Sequence, residues 1–467
     1  MVVLHAHLDG QLEDEIAALV RDAGIEHIAL SSQIAAEQGL VGRGDTTVVD
    51  AYLTPILTGY LAKLAADLPG STLHVMQSSG DLALASFFRG KNAVLSGPAG
   101  GVVACGRVAR DAGYHSAIGF DMGGTSTDVS CWERVPDRVY DTEVAGVRLR
   151  APMMEVHTVA AGGGSICRFQ GFRFTVGPES AGAVPGPLCY GHPEAPELTM
   201  TDVNLCLGRV IDDRFPFRLD RERAELALQT MTDEVRAAGH STTPLQVAAG
   251  LRDIANANMA EAIRKVSVAK GRDVRDYALV VFGGAGGQHG CAVARNLGIR
   301  TLIFDEHAGV LSALGMGLAE VAWHGERDAG RVELSSAQLR ALGEVFDELA
   351  QRGRLALEAD GHPAGGLQVS RRVDLRYAGT ESPLTIDADG DAASLRAAFE
   401  DEHQRRFGYL RDDASIEIAV ARVTVSSGGS SVSRPSPAAR VPGQARRTHI
   451  LYDGDDAQQV PVFHRED

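Results

Sequence analysis

The stretch Ile118-Gly-Phe-Asp-Met-Gly-Gly-Thr-Ser-Thr-Asp-Val129 constrains the fold of this chain more than any other. A short apolar run enters an acidic residue, Asp121. Two glycines, three hydroxyl side chains and a second acid, Asp128, follow. Asp-x-Gly-Gly-Thr predicts a tight strand–turn–strand hairpin, with Gly123 and Gly124 free to adopt positive φ and let backbone approach a ligand closely. Backbone N–H groups and the hydroxyls of Thr125, Ser126 and Thr127 are suited to phosphate oxygens. Asp121 or Asp128 is suited to Mg²⁺, a hard cation commonly bound by one or two carboxylates together with phosphate. An ordinary hairpin with a polar tip needs fewer of these residues.

Any such phosphate site must be local. The 467-residue chain carries 45 Lys+Arg against 61 Asp+Glu, a formal net charge of -16, which argues against nucleic acid or an anionic membrane as the main partner. Its 44% hydrophobic and 23% charged residues are those of a globular protein. The length suggests about two to four domains. Six cysteines (Cys105, Cys131, Cys167, Cys189, Cys206, Cys291) show no disulfide or zinc-finger rhythm and read as free thiols in a reducing cytosol. No charged-then-apolar leader and no bilayer-length apolar run is present, so a cytoplasmic location is expected.

Along the chain, Gln11–Ala23 has the apolar spacing of an amphipathic helix, and Ile28–Leu30 reads as a short strand. Residues Asp50–Ala66 predict a second helix, with Leu53, Ile56, Leu57, Tyr60 and Leu61 on its buried face and Pro55 in its first turns. Leu73–Met76 predicts a strand, and Leu95–Gly101 a loop before the helix Val102–Ala112. From His157 to Gly208, repeated Gly and Pro predict long shaped loops of the kind that carry function. A helix over Leu245–Ala269 precedes a strongly apolar strand, Tyr277–Phe282, which enters Gly283-Gly-Ala-Gly-Gly-Gln-His289 and a helix to Leu297; Thr301–Phe304 is a further strand. This alternation to about residue 325 indicates α/β architecture. Beyond about residue 330, a helix (Ala337–Glu358), strands Gln368–Tyr377 and Leu384–Ile386, a helix (Ala393–Phe407) and Ile416–Val425 form a smaller α+β unit. Gly428–Gly443 reads as a linker, and the strand pair Thr448–Tyr452 and Val460–Phe463 is marginal by itself.

The second glycine loop, Phe282–His289, suits a nucleotide because a buried strand leads through flexible backbone into a helix whose N-terminal amides carry partial positive charge. Close strand–helix packing explains the same glycines, and the dinucleotide spacing Gly-x-Gly-x-x-Gly is absent. Paired with the hairpin, one loop would hold a triphosphate and the other an adenosine. Arg264, Lys265 and Lys270 are candidates to balance triphosphate charge, or simply a solvated helix face. Cys189-x-x-His192 offers two metal ligands, too few for a site.

Phe120–Val129 resembles the signature of the hydantoinase A/5-oxoprolinase family. The resemblance continues in order through Leu95–Gly101, His157–Ser165, Gly177–Gly182, Pro185–Tyr190, Thr201–Arg209, Phe282–His289, Ala308–Met316 and Arg405–Gly408, and so covers nearly the whole chain. Gly286-Gly-Gln-His289, Asp50-Ala-Tyr-Leu-Thr-Pro55, Met76-Gln-Ser78 and Tyr377-Ala-Gly-Thr-Glu381 resemble 5-oxoprolinases more than hydantoinases, whereas His157 is the form associated with hydantoinases.

The resemblance implies an α/β, actin/sugar-kinase-like (ribonuclease H-like) ATPase core with a smaller C-terminal α+β domain. Residues 1–45 match the tail of an N-terminal domain, 46–328 the central ATPase domain and 329–467 the C-terminal domain. It implies ATP and Mg²⁺, and ATP-dependent opening of a cyclic amide, 5-oxoproline to glutamate, by phosphorylation of the amide oxygen. A hydantoinase A subunit, a ketone carboxylase subunit, or a non-catalytic nucleotide-binding or regulatory subunit are the alternatives. Asp121 and Asp128 would support Mg²⁺ or the attacking group. Gly123, Gly124, Thr125, Ser126 and Thr127 would hold phosphates, and Gly283, Gly284, Gly286 and Gly287 would line the adenosine. His157, with Gly162–Ser165 and Glu179, would approach the lactam. The expected partners are a hydantoinase B-like subunit and a complementing N-terminal domain bearing a second Asp-x-Gly-Gly-Thr loop, in an oligomer that binds neither nucleic acid nor membrane.

Overall fold

A computed structural model describes residues 1–428, 445 and 447–463, so most of the expected linker Gly428–Gly443 lies outside the described residues. The chain divides into two compact units. One gathers Ala104–Pro136, Val156–Leu314 and the C-terminal strand pair; the other gathers Met1–Val103, Asp137–Glu155 and the residues from Gly315 to the end of strand Ile416–Ser426. Because these segments interleave, the units do not coincide with a linear division at residues 45 and 328.

The first unit is built on strands β1 (Ser116–Met122), β2 (Thr127–Glu133), β3 (Val156–Val159), β4 (Ala278–Phe282) and β5 (Thr301–Ile303). They run in the order β3-β2-β1-β4-β5. The pairs β1–β2 and β2–β3 are antiparallel, while β4 lies parallel to both β1 and β5. Both faces of this sheet are covered, which is why β4 reads as an unbroken apolar run and is buried at every residue. Ile118, Phe120, Leu279 and Val281 join the core of helices α1 (Pro244–Val266) and α2 (Gly286–Leu297), including Met259, Ile263 and Val293. Ala117, Trp132, Val280 and Phe282 belong to a second cluster with Ala104, Cys105 and Val108. Helix α1 starts at a reciprocal Thr243/Gln246 cap with Pro244 in the first turn, where a missing N–H has no consequence.

The region His157–Gly208 is more regular than expected. It contains strands Ser165–Phe169 and Phe174–Ser180 and the helix Met200–Cys206. The segment Gly177–Ser180 lies within a strand, its glycine and proline masking the alternation. The C-terminal strands Arg447–Asp453 and Asp456–Val462 pair antiparallel and gain support from the first unit. Tyr452 N–H donates to the Leu207 carbonyl at 3.0 Å, and Arg252 pairs with Asp453 at 2.7 Å.

The second unit carries an antiparallel sheet in the order Ala322–Glu333, Ile416–Ser426, Gln368–Tyr377, Leu384–Asp387. Its core joins these strands to helices Ser336–Ala359 and Ala392–Phe407 through Phe346, Leu349, Val373, Leu395, Phe399 and Val423. Strand Ala322–Glu333 escaped the sequence reading because His324, Glu326, Arg327 and Asp328 obscure its alternation. Such charge suits an edge strand. Glu326 there meets Arg422 at 2.6 Å, and His324 meets Asp81 at 2.8 Å.

Three local expectations are corrected in this unit and at its boundary. Ile28–Leu30 forms no strand; its Ala29 carbonyl instead accepts from the Met1 N-terminus at 2.7 Å. The second helix starts ten residues earlier, spanning Leu40–Asp67, and Pro55 lies well inside it. An interior proline costs a helix about 3 kcal/mol. Tertiary bonds offset this cost: Thr54 Oγ1 accepts from Gly90 N–H at 2.9 Å and Asp50 from Lys91 N–H at 3.1 Å. The buried side of that helix is Arg43, Thr46, Thr47, Asp50 and Leu61, while Ile56 and Tyr60 are exposed. Finally, Ser96–Asp111 is one helix, so the Ser-Gly-Pro-Ala-Gly-Gly run is its first turns rather than a loop. Pro98 there falls in the first turn, where N–H groups lack partners anyway. Among the described residues no helix is long and apolar enough to cross a membrane.

Candidate functional site

Strand register brings the two acids together. Asp121 lies opposite Asp128 across the β1–β2 pair and Met122 lies opposite Thr127, leaving Gly123–Ser126 as the turn. Gly123 N–H closes it on the Ser126 carbonyl at 3.0 Å. Burial raises the Asp121 carboxyl above its ordinary range; a hydrogen bond from Ser312 Oγ at 3.1 Å opposes the rise, and the Asp128 charge adds to it. Burial likewise raises Asp128, against a bond from Thr158 Oγ1 at 2.6 Å. Among the described residues no lysine or arginine charge acts to lower either carboxyl. Two facing carboxylates held in surroundings that disfavour their charge are a fit for a hard divalent cation.

Two further glycine segments grip this turn. Gly163 and Gly164 N–H donate to the carbonyls of Gly123 and Gly124 at 3.0 and 2.6 Å. A Cβ on Gly162 would lie 2.7 Å from Gly124 O, Ser126 N and Thr125 C, so only glycine fits against the tip. From the other side, Ala285 N–H donates to the Met122 carbonyl at 2.9 Å. Gly283 has φ +81, and a Cβ there would lie 2.4 Å from Met122 O and 2.5 Å from Asp121 Oδ1. Two segments far apart in sequence, Gly162–Gly164 and Gly283–Ala285, thus converge on one hairpin.

The expected site residues divide accordingly. Gly124 and Thr125 are exposed at the tip, with Gly123 and Ser126 half-buried beside them. Neither Gly123 nor Gly124 takes a positive φ, because external hydrogen bonds from Gly163 and Gly164 shape the turn instead of a left-handed residue. Thr127 is turned away from the tip. It is buried, donates to the Ala161 carbonyl and touches Met259 Sδ at 3.5 Å, because alternation along β2 sends it to the core face with Val129. In the second loop, Gly284 and Gly287 are exposed beside open space at the start of α2, where helix amides favour anions. Gly286 is buried, with room for little beyond Val281 Cγ1 at 3.2 Å, and serves strand–helix packing.

His157 does not join the acids. It pairs in register with Val129, and so faces the same side of the sheet as that core residue; Thr158 pairs with Asp128 on the other side. Burial and then the charge of Lys265 lower its pKa. Glu179 is exposed and held by Arg168 at 2.6 Å, and Arg264 is engaged with Glu261 and the Asn296 carbonyl. Cys189 is buried, and among the described residues it and His192 gather no metal-ligand cluster. Sequence reasoning missed Thr158 and Ser312, the two hydroxyls bonded to the acids. Ser312 lies inside the Ala308–Met316 motif and Thr158 inside His157–Ser165, but their bonds to the acids follow from tertiary contact and strand register.

His289 follows the second loop and is buried between two amides. Its Nε2 lies 2.8 Å from Asn204 Nδ2 and its Nδ1 2.8 Å from Asn256 Oδ1, so Nδ1 carries the proton and Nε2 accepts. Burial first, then Arg209 and Arg252, lower its pKa to about 3. A histidine that stays neutral when folded but protonates when unfolded makes the fold lose stability as pH falls from its ordinary value of about 6.5 toward 3. His289→Gln is expected to flatten that part of the stability–pH curve, measured by denaturant unfolding between pH 7 and 4. A curve parallel to wild type would contradict the assignment.

A family model for hydantoinase/oxoprolinase matches residues 43–324. The chain belongs to the hydantoinase/oxoprolinase family. It is similar to 5-oxoprolinase 1 of Arabidopsis thaliana, with 35% identity over 495 residues that cover 100% of this chain and 38% of the relative. It therefore spans little more than a third of that relative's length. The crystal structure of ATP-dependent caprolactamase from Pseudomonas jessenii matches with a TM-score of 0.84 and 28% identity, covering 98% of this chain and 69% of that one. A nucleotide-free acetone carboxylase shares the fold at a TM-score of 0.72 and 20% identity, covering 100% and 70%. The matched residues 43–324 take in the hairpin and both glycine segments around it.

Proposed function

We propose that this chain is the nucleotide-handling part of an ATP-dependent enzyme that opens a cyclic amide, with 5-oxoproline as substrate and glutamate as product. The observation that carries the reading is the Asp121–Asp128 pair at a hairpin tip locked between two glycine loops. The strand order β3-β2-β1-β4-β5, with one antiparallel and one parallel half, supports an actin/sugar-kinase-like core. Asp121 and Asp128 would hold Mg²⁺, which offsets phosphate charge when bound. Gly123, Gly124, Thr125 and Ser126 would meet the phosphates, and Gly284 and Gly287 the adenosine. Thr158 and Ser312 orient the two carboxylates, while Gly162, Gly283 and Gly286 shape the loops.

In this reaction the lactam oxygen attacks the γ-phosphorus of ATP, the bond to the β-phosphate oxygen breaks and ADP departs. Water adds at the activated carbon, and the ring C–N bond opens with a proton passing to nitrogen. A second water displaces phosphate at that carbon by C–O cleavage. The protein's contribution to such transfer is chiefly positioning and charge stabilisation. A hydantoinase B-like subunit is the proposed partner for the hydrolytic steps, and the cytoplasm the proposed location. The shared fold with acetone carboxylase favours ketone activation as the second reading.

The test is oxygen transfer. With carbonyl-¹⁸O 5-oxoproline, ATP, Mg²⁺ and the partner subunit, inorganic phosphate is expected to carry the label. Ring opening with unlabelled phosphate, or ATP hydrolysis indifferent to 5-oxoproline but stimulated by a ketone, would overturn the proposal.

A further inference from the structure

We propose that His74, Asp360 and His362 form a binding site for a divalent transition metal of the zinc class. The three residues belong to the compact unit that does not contain Asp121 and Asp128. Each offers one ligand atom, and these atoms all lie within 4.8 Å of one another. His74 Nε2 is 2.9 Å from Asp360 Oδ2, and His362 Nε2 is 3.7 Å from the same oxygen.

The backbone is prepared for this arrangement. Asp360 caps the C-terminus of helix Ser336–Ala359, and Gly361 follows with φ +89. Gly361 N–H donates to the Glu358 carbonyl at 3.0 Å and His362 N–H to the Leu357 carbonyl at 3.0 Å, the paired bonds of a Schellman turn. That turn holds Asp360 and His362 against the first residue of strand His74–Met76. A helix C-terminus also carries partial negative charge, which favours a bound cation.

An ordinary His–Asp hydrogen bond does not account for the cluster. It satisfies one carboxylate oxygen, yet Asp360 Oδ1 and His362 Nε2 are both buried with no hydrogen-bond partner. The Asp360 side chain is only 4% exposed, so water does not relieve it. Leaving such groups unmatched disfavours the fold. A metal ion held by the Asp360 carboxylate and both imidazoles gives His362 Nε2 the partner it lacks and draws on the carboxylate charge. Two imidazoles and one carboxylate are a ligand set for zinc and its first-row neighbours, not for Mg²⁺ or Ca²⁺, and three protein ligands leave a further position open. Since His74 and Asp360 are 286 residues apart, the ion would tie the strand to the helix end and stabilise the fold by mass action.

The experiment uses the full chain, stripped with chelator and titrated with ZnCl₂ and, separately, CoCl₂. One equivalent of zinc is expected by calorimetry, with a rise in thermal midpoint. Cobalt is expected to give visible d–d bands without the near-ultraviolet band of thiolate ligation. His362→Ala and His74→Ala, both at partly exposed side chains, should each weaken zinc binding by about 100-fold and abolish the thermal shift. His192→Ala should leave both unchanged. Absence of a saturable equivalent in the wild-type chain, a thiolate band, or unweakened binding by His362→Ala and His74→Ala would overturn the site.

Discussion

Gly162→Ala is expected to be among the most damaging single substitutions in this chain, lowering its stability by about 3 kcal/mol and removing nucleotide binding. The added Cβ would meet three backbone atoms at 2.7 Å, those of Gly124, Thr125 and Ser126. Backbone cannot turn aside as a flexible side chain can, so the hairpin tip must move. Its movement would break the bonds from Gly163 and Gly164 that shape the turn. Gly287→Ala is the matching control, because nothing lies within 4 Å of its Cβ position, and its stability should stay within about 0.5 kcal/mol of wild type. Thermal unfolding and ATP calorimetry on both variants check this. Equal midpoints for Gly162→Ala and wild type would show that Gly162–Gly164 and the hairpin tip are not packed as described.

Asp128→Asn should separate stability from function. Burial raises both carboxyls of the pair, so the folded chain holds protons that the unfolded chain has already released. Their contribution is therefore most favourable at low pH. It declines as pH rises from the unfolded carboxylate range of about 4 through the raised folded values, and stays unfavourable at neutral pH. Removing one charge lifts that penalty while Thr158 keeps an oxygen to bond. The cation-free variant is expected to unfold at a higher temperature than wild type at pH 7, with the difference vanishing near pH 4. In the complete enzyme, Asp121→Asn and Asp128→Asn should each cut ATP turnover by about 10²–10³-fold. A variant that is both less stable at pH 7 and fully active would refute the charge-pair reading.

Much of this fold was legible before any coordinates. The Asp121 hairpin, helix Pro244–Val266, the buried strand Ala278–Phe282 and both helices of the α+β unit are each specified by a pattern within a short window. Apolar spacing, a Thr-Pro start or a glycine stop acts locally, and so survives without tertiary knowledge. What failed was orientation and environment. Thr127 belongs to the same hydroxyl run as Thr125, yet strand alternation buries it. His157 belongs to a family motif, yet register places it beside Val129 rather than Asp128. Pro55 contradicts a helix interior by propensity, and only the Gly90–Lys91 contacts explain its place there.

By itself, the sequence determined the Asp121–Asp128 hairpin, the α/β succession and the family, because these rest on neighbouring residues and on motif order. Only the tertiary structure decided that Gly162–Gly164 and Gly283–Ala285 clamp that hairpin, that Thr158 and Ser312 hold its acids, and that His74 meets Asp360 and His362. Those meetings depend on strand register and on helix ends brought together across tens to hundreds of residues. No periodicity along the chain encodes which distant backbone will fill the space that a missing Cβ leaves open.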